Sequence, residues 1–468
     1  MTELCLYDTR ERKKRSFSPL EGDHVRMYTC GPTVYSAQHI GNLRSILFAD
    51  LLRRVLVAEG YGVTHVINIT DVGHLVGEVE TGEDKMEAAA RHSGREAGEI
   101  AEQFTRQWRE DCLRVGCLDA HVYCKATDHI EQQIALARQL EEKGYTYAID
   151  DGLYFDTAKF GRYAEFARLD LAAQEGGARI GDVPGKRHPA DFALWKLPAP
   201  GVRRQQEWDS PWGRGFPGWH LECSAMSVEY LGKNFDIHTG GVDHVPVHHT
   251  NEIAQSECAF DVHPWVNWWM HEEFIDFRGE KMSKSTGNIC LLDDLVERGI
   301  EPLAYRYFFL QAHYRQQQTF NDEAIESAAT GYDRLLRQAA EIRGAGGEPD
   351  PARLGDYRQR FRDALRDDLN APRALAVAWE VVRSRDLSAI ERWSLLGEFD
   401  AVLGLDLAGA EPRTAASESD PRIDARVAER EAARRERRFE DADRIRDELA
   451  AEGIVIEDTK DGVKWRYR

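Results

Sequence analysis

The alternation of strand-like and helix-like segments predicts an α/β protein: a parallel sheet with an insertion, followed by an α-helical bundle and a small α+β module. Three observations carry that prediction. Short apolar runs rich in β-branched residues, 25–30 and 63–69, alternate with longer segments whose apolar residues recur three and four apart. Gly, Pro and Trp crowd residues 176–218, an irregular insertion after which the alternation resumes, so the sheet-bearing domain is split in sequence. After Arg315 the strand-like runs give way to helical periodicity.

Taken in order, residues 25–30 read as a buried strand, and 31–38 as a turn containing Pro32. From Ile40 a helix is expected, because Leu43, Leu47, Leu51, Leu52 and Val55 share one face. The strand 63–69 ends at Thr70 and Asp71, at the carboxyl edge where open α/β sheets place their ligands. Helices are expected over 99–115 and 130–143, and 145–155 reads as a hairpin around Asp151-Gly152. Residues 321–343 and 356–383 carry bundle-type spacing, as in Ile325, Ala328, Tyr332, Leu335 and Leu336. The Ala-, Ser-, Pro- and acid-rich stretch 408–421 reads as a linker. Beyond it, one charged helix leads to a hairpin over 454–457 and 463–465, turned at Asp461-Gly462.

A chain of 468 residues exceeds one ordinary core, so several domains are expected. The charged N-terminal stretch and the lack of any long uncharged apolar run point to a soluble cytoplasmic protein with no membrane association. Eight scattered cysteines lack the spacing of a disulfide framework and read as thiols or metal ligands. The net charge of -20 excludes indiscriminate nucleic-acid binding while leaving room for a local basic track. Arg434, Arg435, Arg437 and Arg438 lie among acids and read as part of a salt-bridged, solvated helix.

Two signatures carry the chemistry. In His39-Ile40-Gly41-Asn42, a helix start offers backbone N–H groups to phosphate oxygens, His39 and Asn42 add donors, and Gly41 opens the approach. In Lys281-Met282-Ser283-Lys284-Ser285, two lysines bracket small residues and can neutralise charge on a leaving pyrophosphate. Four potential metal ligands, Cys30, Cys223, His248 and Glu252, sit in motifs around these signatures. Soft donors favour zinc, and zinc at a substrate site favours a sulfur-bearing substrate, with cysteine the leading candidate.

The stretches 29–35, 68–72, 190–196, 218–227 and 251–257, taken in order with both signatures, resemble the cysteinyl-tRNA synthetases, a family of class I aminoacyl-tRNA synthetases, from about Leu6 to Arg468. The resemblance implies a Rossmann-type catalytic domain in two halves, 1–125 and 218–270, around a connective insertion, 126–217. It further implies a stem-contact region with the lysine loop at 271–320, a helical bundle at 321–407, a linker at 408–421 and an anticodon-binding module at 422–468.

By position, the resemblance also implies a single zinc on Cys30, Cys223, His248 and Glu252, with His249 an adjacent competitor expected to hydrogen-bond either behind the ligands or on the substrate side. It implies that ATP with Mg²⁺ activates L-cysteine to cysteinyl-adenylate, and that the cysteine then passes to the 3′-terminal adenosine of tRNA(Cys). His39, Asn42, Lys281 and Lys284 are the expected catalytic groups, and Gly41 and Ser283 join them around ATP. Thr70, Trp219, Asp243 and His249 are expected around the amino acid, and Trp465, Arg466 and Arg468 at the RNA. The chain departs from the general class I pattern at Asn42, which stands where that pattern has a second histidine. A related ligase joining cysteine to an amino sugar would keep the zinc and ATP motifs but lack the long stretch 321–468.

Overall fold

Near-continuous apolar runs are stable as strands only when both faces are covered, which is the situation of a parallel sheet between helices. In the computed structural model β1 (His24–Thr29), β2 (Gly62–Ile69), β3 (Val122–Lys125), β4 (Phe235–Gly241) and β5 (Val266–Glu272) form such a sheet, ordered β5-β4-β1-β2-β3. The chain winds outward from β1 to β3 on one side and from β4 to β5 on the other. The strand order therefore reverses between β1 and β4, which opens a crevice at their carboxyl ends. The structure describes residues 3–73, 84–169, 183–199, 201–277, 280–281, 290–409, 421–436, 438–452, 454–459 and 462–467.

Helix α1 (Ile40–Ala58) crosses from β1 to β2 and buries the predicted face, Leu43, Leu47, Leu51, Leu52 and Val55. It also buries two charged residues, Arg44 and Asp50. Asp50 is the hub of a polar knot. Its Oδ2 accepts from Arg306 Nη2 at 2.6 Å and Arg54 Nε at 2.7 Å, and its Oδ1 accepts from Leu118 N at 2.8 Å. Arg306, in the helix Pro302–Leu310, also donates to Leu403 O at 2.5 Å and Gly116 O at 3.2 Å. The two arginines hold the Asp50 carboxyl below its usual range against the opposing effect of burial.

The hairpin expected at 145–155 forms from Thr146–Ile149 and Gly152–Phe155. The stretch 176–218 is less irregular than its composition suggests. Phe192–Lys196 and Phe216–Pro217 extend the hairpin into a four-stranded antiparallel sheet. Asp191 anchors it, accepting from Tyr147 Oη at 2.7 Å, Thr157 N at 2.9 Å and His188 N at 3.0 Å.

The bundle comprises Asp322–Ile342, Pro351–Arg366, Ala371–Arg383 and Ala389–Leu403. The stretch 356–383, read as one run of bundle-type spacing, belongs to two helices. Asp368 and Leu369 adopt φ of 59° and 55°, and Asn370 caps the next helix by accepting from Arg373 N.

Residues Met1–Ala408 form one compact unit and Gly409–Arg468 another. Within the second, the one charged helix expected is again two, Pro421–Arg435 and Phe439–Ala451, followed by the antiparallel pair Ile454–Thr459 and Gly462–Tyr467. Their apolar faces meet through Ile423, Val427, Ile445, Leu449 and Ile454, so a break near Arg438 that no Gly or Pro announces is set by packing. The arginines here are salt-bridged as read, with Arg438 2.7 Å from Asp441 and Arg444 3.2 Å from Glu448. Among the described residues no helix is long and apolar enough to cross a membrane.

Replacing Asp50 by Ala leaves the buried Arg306 guanidinium without its counter-charge. The expected loss is about 3–5 kcal/mol in urea unfolding monitored by circular dichroism. A loss under about 1 kcal/mol would show that the backbone carbonyls alone satisfy Arg306.

Candidate active site

The carboxyl ends of β1, β2 and β4 are stitched together past the last ladder bonds. Cys30 N donates to Thr239 O at 3.1 Å, Gly31 N to Asn68 Oδ1 at 2.8 Å, Thr70 N to Pro32 O at 3.0 Å and Val34 N to Thr70 O at 3.1 Å. A Cβ at Gly31 would overlap the Asn68 carbonyl, so this approach requires glycine. Cys30 is thereby fixed at the reversal point of the sheet. Cys223 arrives from the opposite wall, in the middle of α2 (Trp219–Leu231) rather than at its start. His248 and Glu252 straddle a junction: Val245–His249 is a wide, π-type turn, and α3 (Thr250–Phe260) continues from it. Such turns interrupt α-helices most often at functional sites.

The ligand atoms of Cys30, His248, His249 and Glu252 all lie within 4.8 Å of one another, and all four residues are buried. His248 Nε2 is 2.7 Å from Glu252 Oε1, and Cys30 Sγ is 3.4 Å from His249 Nε2. Cys223 adjoins this group through hydrogen bonds to Cys30 and His248. The hydrogen bond from Cys30 draws the Cys223 thiol down to about 7 against burial, while burial and the hydrogen bond to Cys223 push Cys30 up. Burial opposes charge on His248 and Glu252, yet their mutual attraction wins. His248 rises to about 10, and Glu252, also beside His238, falls to about 2.

A second ring of side chains orients the first. His238 Nε2 is 2.8 Å from Glu252 Oε2, His220 Nδ1 is 3.0 Å from His248 Nδ1, and His249 Nδ1 is 2.7 Å from His271 Nε2. His271 Nδ1 in turn is 2.7 Å from Thr9 Oγ1. Burial, followed by neighbouring imidazoles, drives His249 and His271 well below the usual histidine range, so both rings are neutral.

Two thiols, an imidazole and a carboxylate form a donor set suited to zinc. His248 Nε2 and Glu252 Oε1, 2.7 Å apart and buried beside two thiols, are ligand atoms close enough to face a common cation.

Cys30, Cys223 and His248 open onto a cleft of about 840 Å³, which Thr70, Trp219 and Asp243 also line. The Trp219 ring lies 4.3 Å from that of His248. His39, Gly41 and Asn42 line the same cleft. His39 stands at the N-cap of α1 but makes no side-chain cap bond, so a simple capping role does not account for it. A Cβ at Gly41 would fall 2.9 Å from His39 Nδ1, so this glycine makes room for the histidine ring as well as for a ligand. The sequence-predicted residues Ser283 and Lys284 lie outside the described residues. Lys281 ends the short strand Glu280–Lys281, which pairs with Ile275–Phe277, and its side chain is likewise outside them. In the C-terminal unit Trp465 Nε1 donates to Asp424 Oδ1 at 2.8 Å, so that indole serves the module's own packing. The Arg466 and Arg468 side chains lie outside the described residues.

Sequence reading missed His220, His238 and His271, the ring that holds the ligands, and Glu272, a buried acid in the cleft wall. The available signal was polarity inside apolar strands: Phe235-Asp236-Ile237-His238 and Trp268-Trp269-Met270-His271-Glu272.

Residues 16–330 match the family described as tRNA synthetases class I (C) catalytic domain, and 416–466 match the cysteinyl-tRNA ligase anticodon binding domain. The chain is 48% identical to Cysteine--tRNA ligase 1 of Burkholderia lata, over 98% of this chain and 96% of that one. It is 40% identical to the Cysteine--tRNA ligase of Zymomonas mobilis, over 99% and 98%. Among solved structures, Mycobacterium tuberculosis methionyl-tRNA synthetase bound by methionyl-adenylate aligns with a TM-score of 0.53 at 16% identity, over 82% of this chain and 90% of that chain. The Agrobacterium radiobacter LeuRS in its ternary complex with tRNA and LeuAMS aligns with a TM-score of 0.58 at 12% identity, over 85% and 87%. At these identities the two structures establish a shared fold.

Glu272 generates a pH prediction. Burial, opposed by the Ser45 hydrogen bond and Arg44 and reinforced by Asp243, raises its carboxyl from 4.5 to about 7. The folded state therefore binds the proton more tightly than the unfolded state, and this group's contribution to stability falls as pH rises from about 4.5 to about 7. Glu272→Gln is expected to match the parent near pH 4.5 and to exceed it by up to about 3 kcal/mol at pH 8 in chemical denaturation. A stability difference independent of pH would sink this assignment.

Proposed function

This chain belongs to the cysteine--tRNA ligases, class I aminoacyl-tRNA synthetases, and from that premise we propose that Cys30, Cys223, His248 and Glu252 hold a zinc ion that selects the substrate thiol. The chain activates L-cysteine with ATP and attaches it to tRNA. The observation that carries the zinc reading is the convergence of those four side chains from the end of β1, α2, the wide turn and α3, with Cys30, Cys223 and His248 on the wall of one cleft, backed by an oriented ring of histidines.

Zinc bound there supplies a soft Lewis acid that favours a thiolate over the hard hydroxyl of serine. A ten-thousand-fold preference needs about 5.5 kcal/mol, more than shape differences between sulfur and oxygen provide. Glu252 would be the ligand best able to yield to the substrate sulfur, because its carboxylate keeps a second anchor on His238. His249, tied to His271, bonds from the side. Trp219 walls the amino-acid pocket, while Thr70 and Asp243 hold the ammonium and neighbouring backbone-like atoms.

The cysteine carboxylate attacks the α-phosphorus of ATP and pyrophosphate leaves; magnesium bound to ATP would offset part of the phosphate charge. His39 and Asn42, with Gly41 opening the approach, hold the phosphates from α1, Lys281 and Lys284 neutralise the departing charge, and Ser283 adds a hydrogen bond to ATP. Asn42 retains hydrogen-bond donors where the general class I pattern has histidine. The 2′-hydroxyl of the terminal adenosine then attacks the adenylate carbonyl and releases AMP. Segments 271–320 and 321–407 serve the tRNA stem and the module beyond 421 its anticodon. That assignment favours tRNA over an amino sugar, since a sugar ligase has no use for a module matching an anticodon-binding domain. The reading assigns the chain to the cytoplasm, where tRNA is charged.

The test substitutes cobalt for zinc and follows absorption during titration with cysteine. A sulfur-to-metal charge-transfer band is expected to grow with cysteine and to stay flat with serine. Growth with neither would overturn metal-based selection, even if ATP–pyrophosphate exchange with cysteine proceeds. His238→Asn, which loosens Glu252 without removing a ligand, is expected to weaken metal affinity about 10–100-fold, measured by competition with a chelator.

A further inference from the structure

Glu272 ends β5 beside Gly241 at the end of β4, and both line the cleft. Its side chain is 4% exposed. Ser45 Oγ of α1 donates to Oε1, whereas Oε2 is buried and has no hydrogen-bond partner among the described residues. The nearest guanidinium does not relieve it. Arg44 donates instead to Glu273 O at 2.7 Å, Gln318 Oε1 at 2.7 Å and Gln316 O at 3.0 Å. A carboxylate buried with an unmet oxygen is costly, and in a cleft wall the natural remedy is a donor on the ligand.

The surroundings select which donor. A Cβ built on Gly241 would fall 2.5 Å from Asp243 Oδ1 and 3.5 Å from Glu272 Oε1, so two carboxylates flank a stretch of wall that carries no side chain. That strip repels phosphate and admits close approach of an uncharged, hydroxyl-bearing edge. His39 at the start of α1 marks the phosphate side of the cleft, which leaves the sugar to face β4 and β5. From this juxtaposition we infer that Glu272 accepts a hydrogen bond from a ribose hydroxyl of ATP and makes the enzyme selective for a ribonucleotide. The inference rests on the placement of ATP in this cleft given above. It assigns a role to a residue that neither nucleotide signature contains.

The experiment is ATP–pyrophosphate exchange with the full-length enzyme, using ATP, 2′-deoxyATP, 3′-deoxyATP and the 6-oxopurine analogue ITP. The parent is expected to show a KM at least about 10-fold higher for one deoxy analogue than for ATP, because a site built around a hydroxyl rejects its absence. Glu272→Met is expected to raise KM for ATP about 10-fold, more than it lowers kcat, and to bring ATP and that analogue to similar values. Glu272→Gln, which retains a hydrogen-bonding group, is expected to restore part of the discrimination. An equal rise for ATP and both deoxy analogues would overturn the inference. So would a loss of selectivity against ITP alone, which would assign Glu272 to the base. His39→Asn separates this failure from failure of the ATP placement. If it raises KM for ATP while the Glu272 variants do not, the cleft holds ATP but Glu272 does not read the sugar. If neither changes KM, the placement fails and the inference with it.

Discussion

The register of the central sheet is the constraint on which the site depends. Strands β2 and β4 run two residues past the end of β1, and the bonds Cys30–Thr239, Gly31–Asn68 and Thr70–Pro32 tie the chain that follows β1 to them. A slip of one residue in β1 would turn Cys30 to the opposite face of the sheet. The fixed strand ends form the floor of the cleft, and α1, α2 and α3 are laid over that floor as its walls. Gly31 is the narrowest point of the arrangement, because any larger residue would wedge β1 away from β2.

Much of the site's chemistry consists of keeping charge out of water. Glu252 is held between His238 and His248, Asp50 between two arginines, and Asp71 is pushed up to about 6 by burial while accepting from Thr127 N at 2.9 Å. These groups differ in what satisfies them. Asp50 is fully answered by protein atoms, so it holds the architecture. Glu252 is answered by two imidazoles of the site itself, whereas Glu272, in the cleft wall, retains an oxygen without a hydrogen-bond partner among the described residues.

The sequence made the strands, the first helix and the cleft-facing motifs legible because each has a local pattern: apolar runs, one-faced spacing, a four-residue signature. Other features had no such pattern. The two helices of 351–383 are separated at Asp368 and Leu369, whose left-handed backbone is imposed by bonds to the distant residues Tyr7 and Tyr314. Asn370 and Pro372 were the local sign of a new helix start, hidden by uninterrupted apolar spacing. His238 and His271 stood out as polar residues in apolar strands, but the grouping of the histidines into a ring was hidden for a related reason. His220, His238 and His271 lie on three separate elements, and their shared purpose emerges only when the sheet and α2 bring them within hydrogen-bonding distance of the cluster.

Asp368 also ties the two extremes of the larger unit together. Its backbone N–H donates to Cys5 O at 2.9 Å, and its carboxylate accepts from Tyr7 N at 2.8 Å and Tyr314 Oη at 2.7 Å. The strand Cys5–Asp8 has one partner close by in sequence, Lys13–Ser16, whereas its tie to Asp368 spans 361 residues of chain. During synthesis the hairpin can form early, but that tie closes only once translation has passed the turn at Asp368, after both halves of the sheet and much of the bundle.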